Sequence, residues 1–85
     1  MGIHAEYGEI KMTIELDLRG EVCPYTFVKT KLKLEEVESG EELVVTFDHA
    51  PAVENVPRSL KNEGHKIMGI EQKGDHLWKV RIRKA

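Results

Sequence analysis

The order of patterns along this chain predicts an α+β fold, a two-layer sandwich of the type βαβαββ with two helices on one face of a four-stranded mixed sheet. Three observations carry it. Residues 13–18, 42–48 and the two arms flanking Gly74-Asp75 alternate apolar with polar residues, the period of a half-buried strand. Residues 24–38 and 55–63 instead space their apolar residues as a helix does. One helical stretch lies between the first two alternating segments, so these form a right-handed βαβ unit and their strands run parallel.

Each element has its own signal. In the first strand Ile14, Leu16 and Leu18 share one face, with Thr13, Glu15 and Asp17 on the other. The first helix, Pro24 to Glu38, turns Phe27, Thr30, Leu34 and Val37 inward and keeps Lys29, Lys33, Glu35 and Glu36 wet. Ser39-Gly40 ends it. The second strand points Leu43, Val45 and Phe47 inward. Pro57 removes a backbone donor, so the second helix is expected to start late. The pattern predicts a turn at Pro51-Ala52, Asn55 as N-cap, Pro57 in the first turn and a stop at Gly64. His65 to Lys73 and His76 to Lys84 then pair as a hairpin across Gly74-Asp75. Trp78, Val80 and Ile82 face the helices, which puts Lys79, Arg81 and Arg83 together on the open face of the sheet.

Composition narrows the function classes. At 85 residues the chain is one small domain, residues 13–85, preceded by an aperiodic extension, residues 1–12, that reads as loosely held. A net charge of −2 does not describe a general nucleic-acid binder. No apolar run of about 18 residues and no leader pattern occurs, so neither a membrane span nor secretion is indicated, and a reduced cytoplasmic setting is the default. With a single cysteine no intramolecular disulfide and no zinc quartet can form. Neither a cofactor nor a metal is expected.

That cysteine, Cys23, sits between the first strand and the first helix and is followed by Pro24. A helix N-terminus presents unpaired N–H groups and partial positive charge, which favours thiolate, the nucleophilic form of sulfur. Proline suits the first turn, where its missing donor is not needed. The plain alternative is a buried structural cysteine, since free cysteine is often buried. The strand-to-helix position and the Gly20-to-Pro24 context favour the functional reading. Gly20 and Pro24 shape the turn and bear on the sulfur only through geometry, and Asp17 reads as an outward strand residue or a turn acceptor.

The run Leu16-Asp17-Leu18-Arg19-Gly20-Glu21-Val22-Cys23-Pro24, with Ser39-Gly40-Glu41, Asn55-Val56-Pro57 and Gly64-His65, resembles the TusA/SirA family of small sulfur carriers from about Ile14 to Lys84. The resemblance implies the same βαβαββ sandwich, with the last strand inserted beside the second. It implies that Cys23 accepts sulfane sulfur as a persulfide from a cysteine desulfurase or a rhodanese-like donor. Cys23 would then pass it to an acceptor protein in tRNA thiolation, cofactor synthesis or sulfur metabolism. Such a protein is a relay rather than a self-contained enzyme. The family pattern Cys-Pro-x-Pro is here Cys23-Pro24-Tyr25-Thr26, so the second proline is a threonine whose hydroxyl can contact local backbone.

A solitary cysteine suits a carrier, because no neighbouring thiol can resolve a persulfide into an internal disulfide. His4, His49, His65 and His76 have no short-range spacing to Cys23 and read as solvated loop residues rather than general bases. Lys79, Arg81 and Arg83 read either as a solvated face that discourages edge pairing or as a docking surface for an acidic partner or RNA phosphates. The RNA-binding or regulatory alternative ranks lower for want of a basic net charge and of stacking aromatics on that face. A redox sensor acting through Cys23 sulfenylation is a third reading.

Overall fold

The computed structural model describes residues 13–22 and 24–85; the expectations placed on residues 1–12 and on Cys23 fall outside the described residues. The order is β1 (Thr13–Asp17), α1 (Tyr25–Glu36), β2 (Glu42–Phe47), α2 (Ala50–Asn62), β3 (Lys66–Gly74) and β4 (Leu77–Arg83). The strands form one sheet in the order β1-β2-β4-β3, with β1 parallel to β2 and β4 antiparallel to both its neighbours. The βαβαββ sandwich expected from the patterning is therefore the fold, with β4 inserted beside β2.

The alternation sorts the two faces. Leu43, Val45, Phe47, Val80 and Ile82 are fully enclosed between sheet and helices, where Leu34, Ala52, Val56 and Leu60 meet them. Burial of these side chains is the main force holding the two layers together. Helix α1 buries Thr26, Thr30 and Leu34, and the Thr30 hydroxyl donates to the Thr26 carbonyl at 2.7 Å, so a polar group inside the core is satisfied. At its far end the Lys84 ammonium donates to the Leu34 carbonyl at 2.7 Å, where a cation complements the helix dipole.

The structure corrects three boundaries. Helix α1 ends at Glu36, because Val37 turns extended (φ −90, ψ 140) and is driven into the core at 2% exposure. Gly40 (φ +86) instead serves the turn closed by the Glu41 N–H on the Glu38 carbonyl. Helix α2 begins at Ala50 with His49 as N-cap, well before Asn55, and Pro51 occupies its first turn. Pro57 lies in the helix interior, where it costs the hydrogen bond its N–H would have made. Val56, Pro57 and Leu60 all face the core, and that burial offsets the lost bond. Gly64 (φ +98) ends α2 as expected, its N–H on the Lys61 carbonyl and the His65 N–H on the Leu60 carbonyl, a Schellman pair. In the hairpin, Gly74 closes β3 at a register shift and His76 takes the left-handed conformation (φ +54), so the loop falls at Asp75-His76.

Candidate functional site

The link from β1 to α1 is built from short, fully specified contacts. The last ladder bond runs from the Leu18 N–H to the Thr46 carbonyl at 2.8 Å. Leu18–Glu21 then forms a β-turn closed by the Glu21 N–H on the Leu18 carbonyl at 3.1 Å. Gly20 at the third position has φ +89, the value a type II turn requires and the reason a glycine stands there. The two remaining amides of the turn are held by carboxylates. The Arg19 N–H donates to Asp17 Oδ1 at 3.0 Å, and the Gly20 N–H donates to both carboxylate oxygens of Asp48, at 2.9 and 3.0 Å.

Beyond the turn, the Val22 carbonyl accepts from the Tyr25 N–H (2.8 Å) and the Thr26 N–H (3.2 Å), and Pro24 is the N-cap of α1. A second motif proline at position 26 would lack that last donor, so Thr26 adds a backbone bond where the usual pattern has none. Thr26 is also completely buried, which fixes the first turn against the core.

Charges around the turn are matched. The Arg19 guanidinium clasps Asp17 at 2.7 Å and, by hydrogen bonding, lowers the Asp17 carboxyl from 3.8 to about 2. Asp17 in turn raises Arg19, with a smaller push from the charge of Asp48. Glu21 is met by Lys29 at 2.8 Å. No acidic residue occupies the first turn of α1, so nothing within the helix opposes its N-terminal dipole.

Next to this turn lies an apolar stripe that the sequence reading overlooked. Val22, Tyr25, Val28 and Leu32 are exposed by 48, 59, 45 and 55%, and the spacing of the last three puts them on one side of α1, away from the core. The signal was present in the sequence, but the inward set Phe27, Leu34 and Val37 accounted for the helix without it. Asp48 was missed because it lies 28 residues from Gly20 and only the fold joins them.

Gly20 and Pro24 stand where the sequence places them, at the turn and the helix start, on either side of the undescribed Cys23. Asp17 is the turn acceptor anticipated for it. Lys79, Arg81 and Arg83 do share the open face, and the single carboxylate of Glu42 lies 3.6 Å from Arg81 and 3.3 Å from Arg83, offsetting one of the three positive charges. Two hollows of about 310 and 330 Å³ lie on the same face; neither is lined by Gly20, Val22 or Pro24. His49 caps α2, His65 Nδ1 accepts the Ala85 N–H at 3.1 Å, and His76 packs edge-on to Trp78, so each of these histidines has a structural place. His4 lies outside the described residues. Among the described residues no cluster of His, Cys, Asp and Glu could hold a metal ion, and no helix is long and apolar enough to cross a membrane.

A two-layer βαβαββ domain whose only cysteine lies in the short link from β1 to α1 defines a class of small single-thiol proteins. Its solved fold relatives include the SirA-like protein of Desulfitobacterium hafniense, with a TM-score of 0.73 at 25% identity over 85% of this chain and 96% of that one. A protein of Archaeoglobus fulgidus named "Putative sulfur carrier protein" is 51% identical over 84 residues, covering 99% of this chain and 96% of its own length. The Escherichia coli K12 protein named "Putative sulfur carrier protein TsuB" is 39% identical over 71 residues, 84% of this chain and 95% of its own. The family model described as "Sulfurtransferase TusA" matches residues 14–84, and this chain belongs to that family.

Proposed function

We propose that the protein is a sulfur carrier in which Cys23 bears the persulfide. The Cys23 thiolate attacks the outer sulfur of a donor persulfide; a new S–S bond forms on Cys23, the donor's S–S bond breaks, and the donor cysteine leaves as thiolate. The reverse attack by an acceptor thiol unloads it. Cysteine desulfurases and rhodanese-like proteins are the donor classes, and tRNA thiolation, cofactor synthesis or general sulfur metabolism are the outlets.

The pinned β1–α1 turn is the observation that carries this reading. Arg19, Gly20 and Glu21 each donate their amide to a fixed acceptor, and the chain then enters a helix whose first turn holds no acid. The turn sets the entry to that helix, whose N-terminal dipole favours an anion at the residue between Val22 and Pro24, for a thiolate and for the more acidic persulfide alike. The exposed stripe Tyr25, Val28 and Leu32 is the docking face for the donor, since a protein bringing sulfur to Cys23 must cover the start of α1. Incubation with a cysteine desulfurase and cysteine should add one sulfur mass, mapped by fragmentation to Cys23. Uptake of the same mass by Cys23→Ser would sink the proposal.

A further inference from the structure

We infer that Asp48 is a positioning residue for Cys23, acting through the Gly20 amide; the inference deepens the persulfide reading above and rests on it for its biological meaning. Type I and type II turns differ in the orientation of their central peptide, and in Leu18–Glu21 that peptide carries the Gly20 N–H. Closure by Glu21 on Leu18 does not choose between the two. The Asp48 carboxylate does, because both its oxygens receive the Gly20 N–H only when that peptide faces the end of β2. Gly20 is correspondingly at φ +89.

Asp48 is well placed to impose this choice. It follows Phe47, which is fully buried at the end of β2, and precedes His49, the N-cap of α2. Its carboxylate is thus anchored to a strand end fixed in the core and sits by a helix N-terminus that favours negative charge. The orientation it sets passes through Glu21 to Val22, whose carbonyl is the acceptor for the first amides of α1. Asp48 thereby bears on the orientation of Val22, the residue before Cys23, although 28 residues separate Asp48 from Gly20.

The test compares Asp48→Ala with Asp48→Asn. Both remove the charge, and only asparagine keeps an acceptor for the Gly20 amide, so their difference isolates positioning from electrostatics. Other titrating groups near the turn, Asp17 and Glu21 among them, are common to both variants and cancel. Three readouts apply: hydrogen exchange at the Gly20 amide, the pH profile of Cys23 alkylation by iodoacetamide, and sulfur uptake from inorganic tetrasulfide. In the last, the thiolate attacks a terminal sulfur of the tetrasulfide dianion, one S–S bond forms, one breaks, and trisulfide dianion leaves. Gly20 exchange should quicken about tenfold or more in Asp48→Ala and stay near wild type in Asp48→Asn, as expected for loss of a hydrogen bond to a fixed acceptor. The alkylation profile should be displaced in Asp48→Ala relative to Asp48→Asn, and tetrasulfide uptake should differ at least about threefold between them. Coincident profiles and equal uptake in the two variants would overturn the inference. Divergent alkylation profiles with no sulfur uptake by any variant or by wild type would retire the carrier reading while upholding Asp48. Should Asp48→Ala fail to fold, Asp48→Leu, uncharged, close in shape to asparagine and without an acceptor, replaces it in the comparison.

Discussion

Replacing Gly20 with alanine tests the turn most directly, because the structure separates the terms. A Cβ added at Gly20 meets nothing within 4 Å, so no clash contributes. What remains is the conformational cost of holding an L-residue at φ +89, about 1–2 kcal/mol. The turn could escape by flipping its central peptide, but it would then abandon the bond to the Asp48 carboxylate. Hydrogen bonds to charged groups contribute about 1.5–3 kcal/mol, so the escape is no cheaper than the strain. The strained route is therefore the one taken, and the expected loss is about 1–2 kcal/mol. With a urea slope of about 1 kcal/mol per M for so small a chain, the midpoint should fall by about 1–2 M with the slope unchanged. Gly20→Asn should lose roughly half as much, since asparagine visits left-handed conformations more readily. Equilibrium unfolding followed by circular dichroism measures both. A loss under about 0.5 kcal/mol for alanine, or an asparagine variant as unstable as the alanine one, would refute the positive-φ argument.

Two further outcomes are expected. The Asp17 carboxyl should titrate near 2 by carboxyl carbon NMR, against 3.8 unfolded. A depressed folded value means the Arg19 contact stabilises above the unfolded value and is lost as pH falls through about 2, so a midpoint near 3.8 would contradict it. On α1, Val28→Gln and Leu32→Gln alter exposed positions and should change stability by no more than about 0.5 kcal/mol. Glutamine adds no charge beside the sulfur anion or the tetrasulfide dianion, so these changes should slow sulfur loading from a desulfurase while leaving loading from tetrasulfide untouched; equal slowing with both donors would remove the docking role.

The strands were legible because period two is hard to imitate: Leu43, Val45 and Phe47 are all at 0% exposure, as their alternation demands. Helix α2 shows where local rules mislead. An interior proline costs about 3 kcal/mol in an exposed helix, which argued for a late start behind Asn55. In the fold that proline faces the core beside Val56 and Leu60, and tertiary burial overrides the local penalty. Pro51, taken for a turn residue, instead serves the first helical turn. The link from β1 to α1 was half legible. Gly20, Pro24 and the acceptor role of Asp17 follow from local chemistry, whereas the clasp of Asp48 needs the end of β2 brought beside β1. The basic residues share the open face as their alternation requires, whereas the contacts of Glu42 with Arg81 and Arg83 arise only through strand pairing.

The division of labour across the described residues bears on how so small a domain would present Cys23 in the proposed relay. Its buried side chains lie between the sheet and the helices, while the link from β1 to α1 is ordered by hydrogen bonds: carboxylates of Asp17 and Asp48, carbonyls of Leu18 and Val22. Exposed ion pairs such as Asp17–Arg19 and Glu21–Lys29 add little to stability. Their effect is directional, since each holds one segment of the approach to Cys23 in one orientation and offsets a negative charge beside it. A carrier gains from this separation. The approach is held by hydrogen bonds, yet among the described residues Val22, Tyr25, Val28 and Leu32 beside it are exposed, open to whichever protein would supply or remove the sulfur. A docked partner would then exclude water from a site that the carrier leaves half built, and that desolvation would strengthen the attraction between the sulfur anion and the N-terminal dipole of α1 at the moment of transfer.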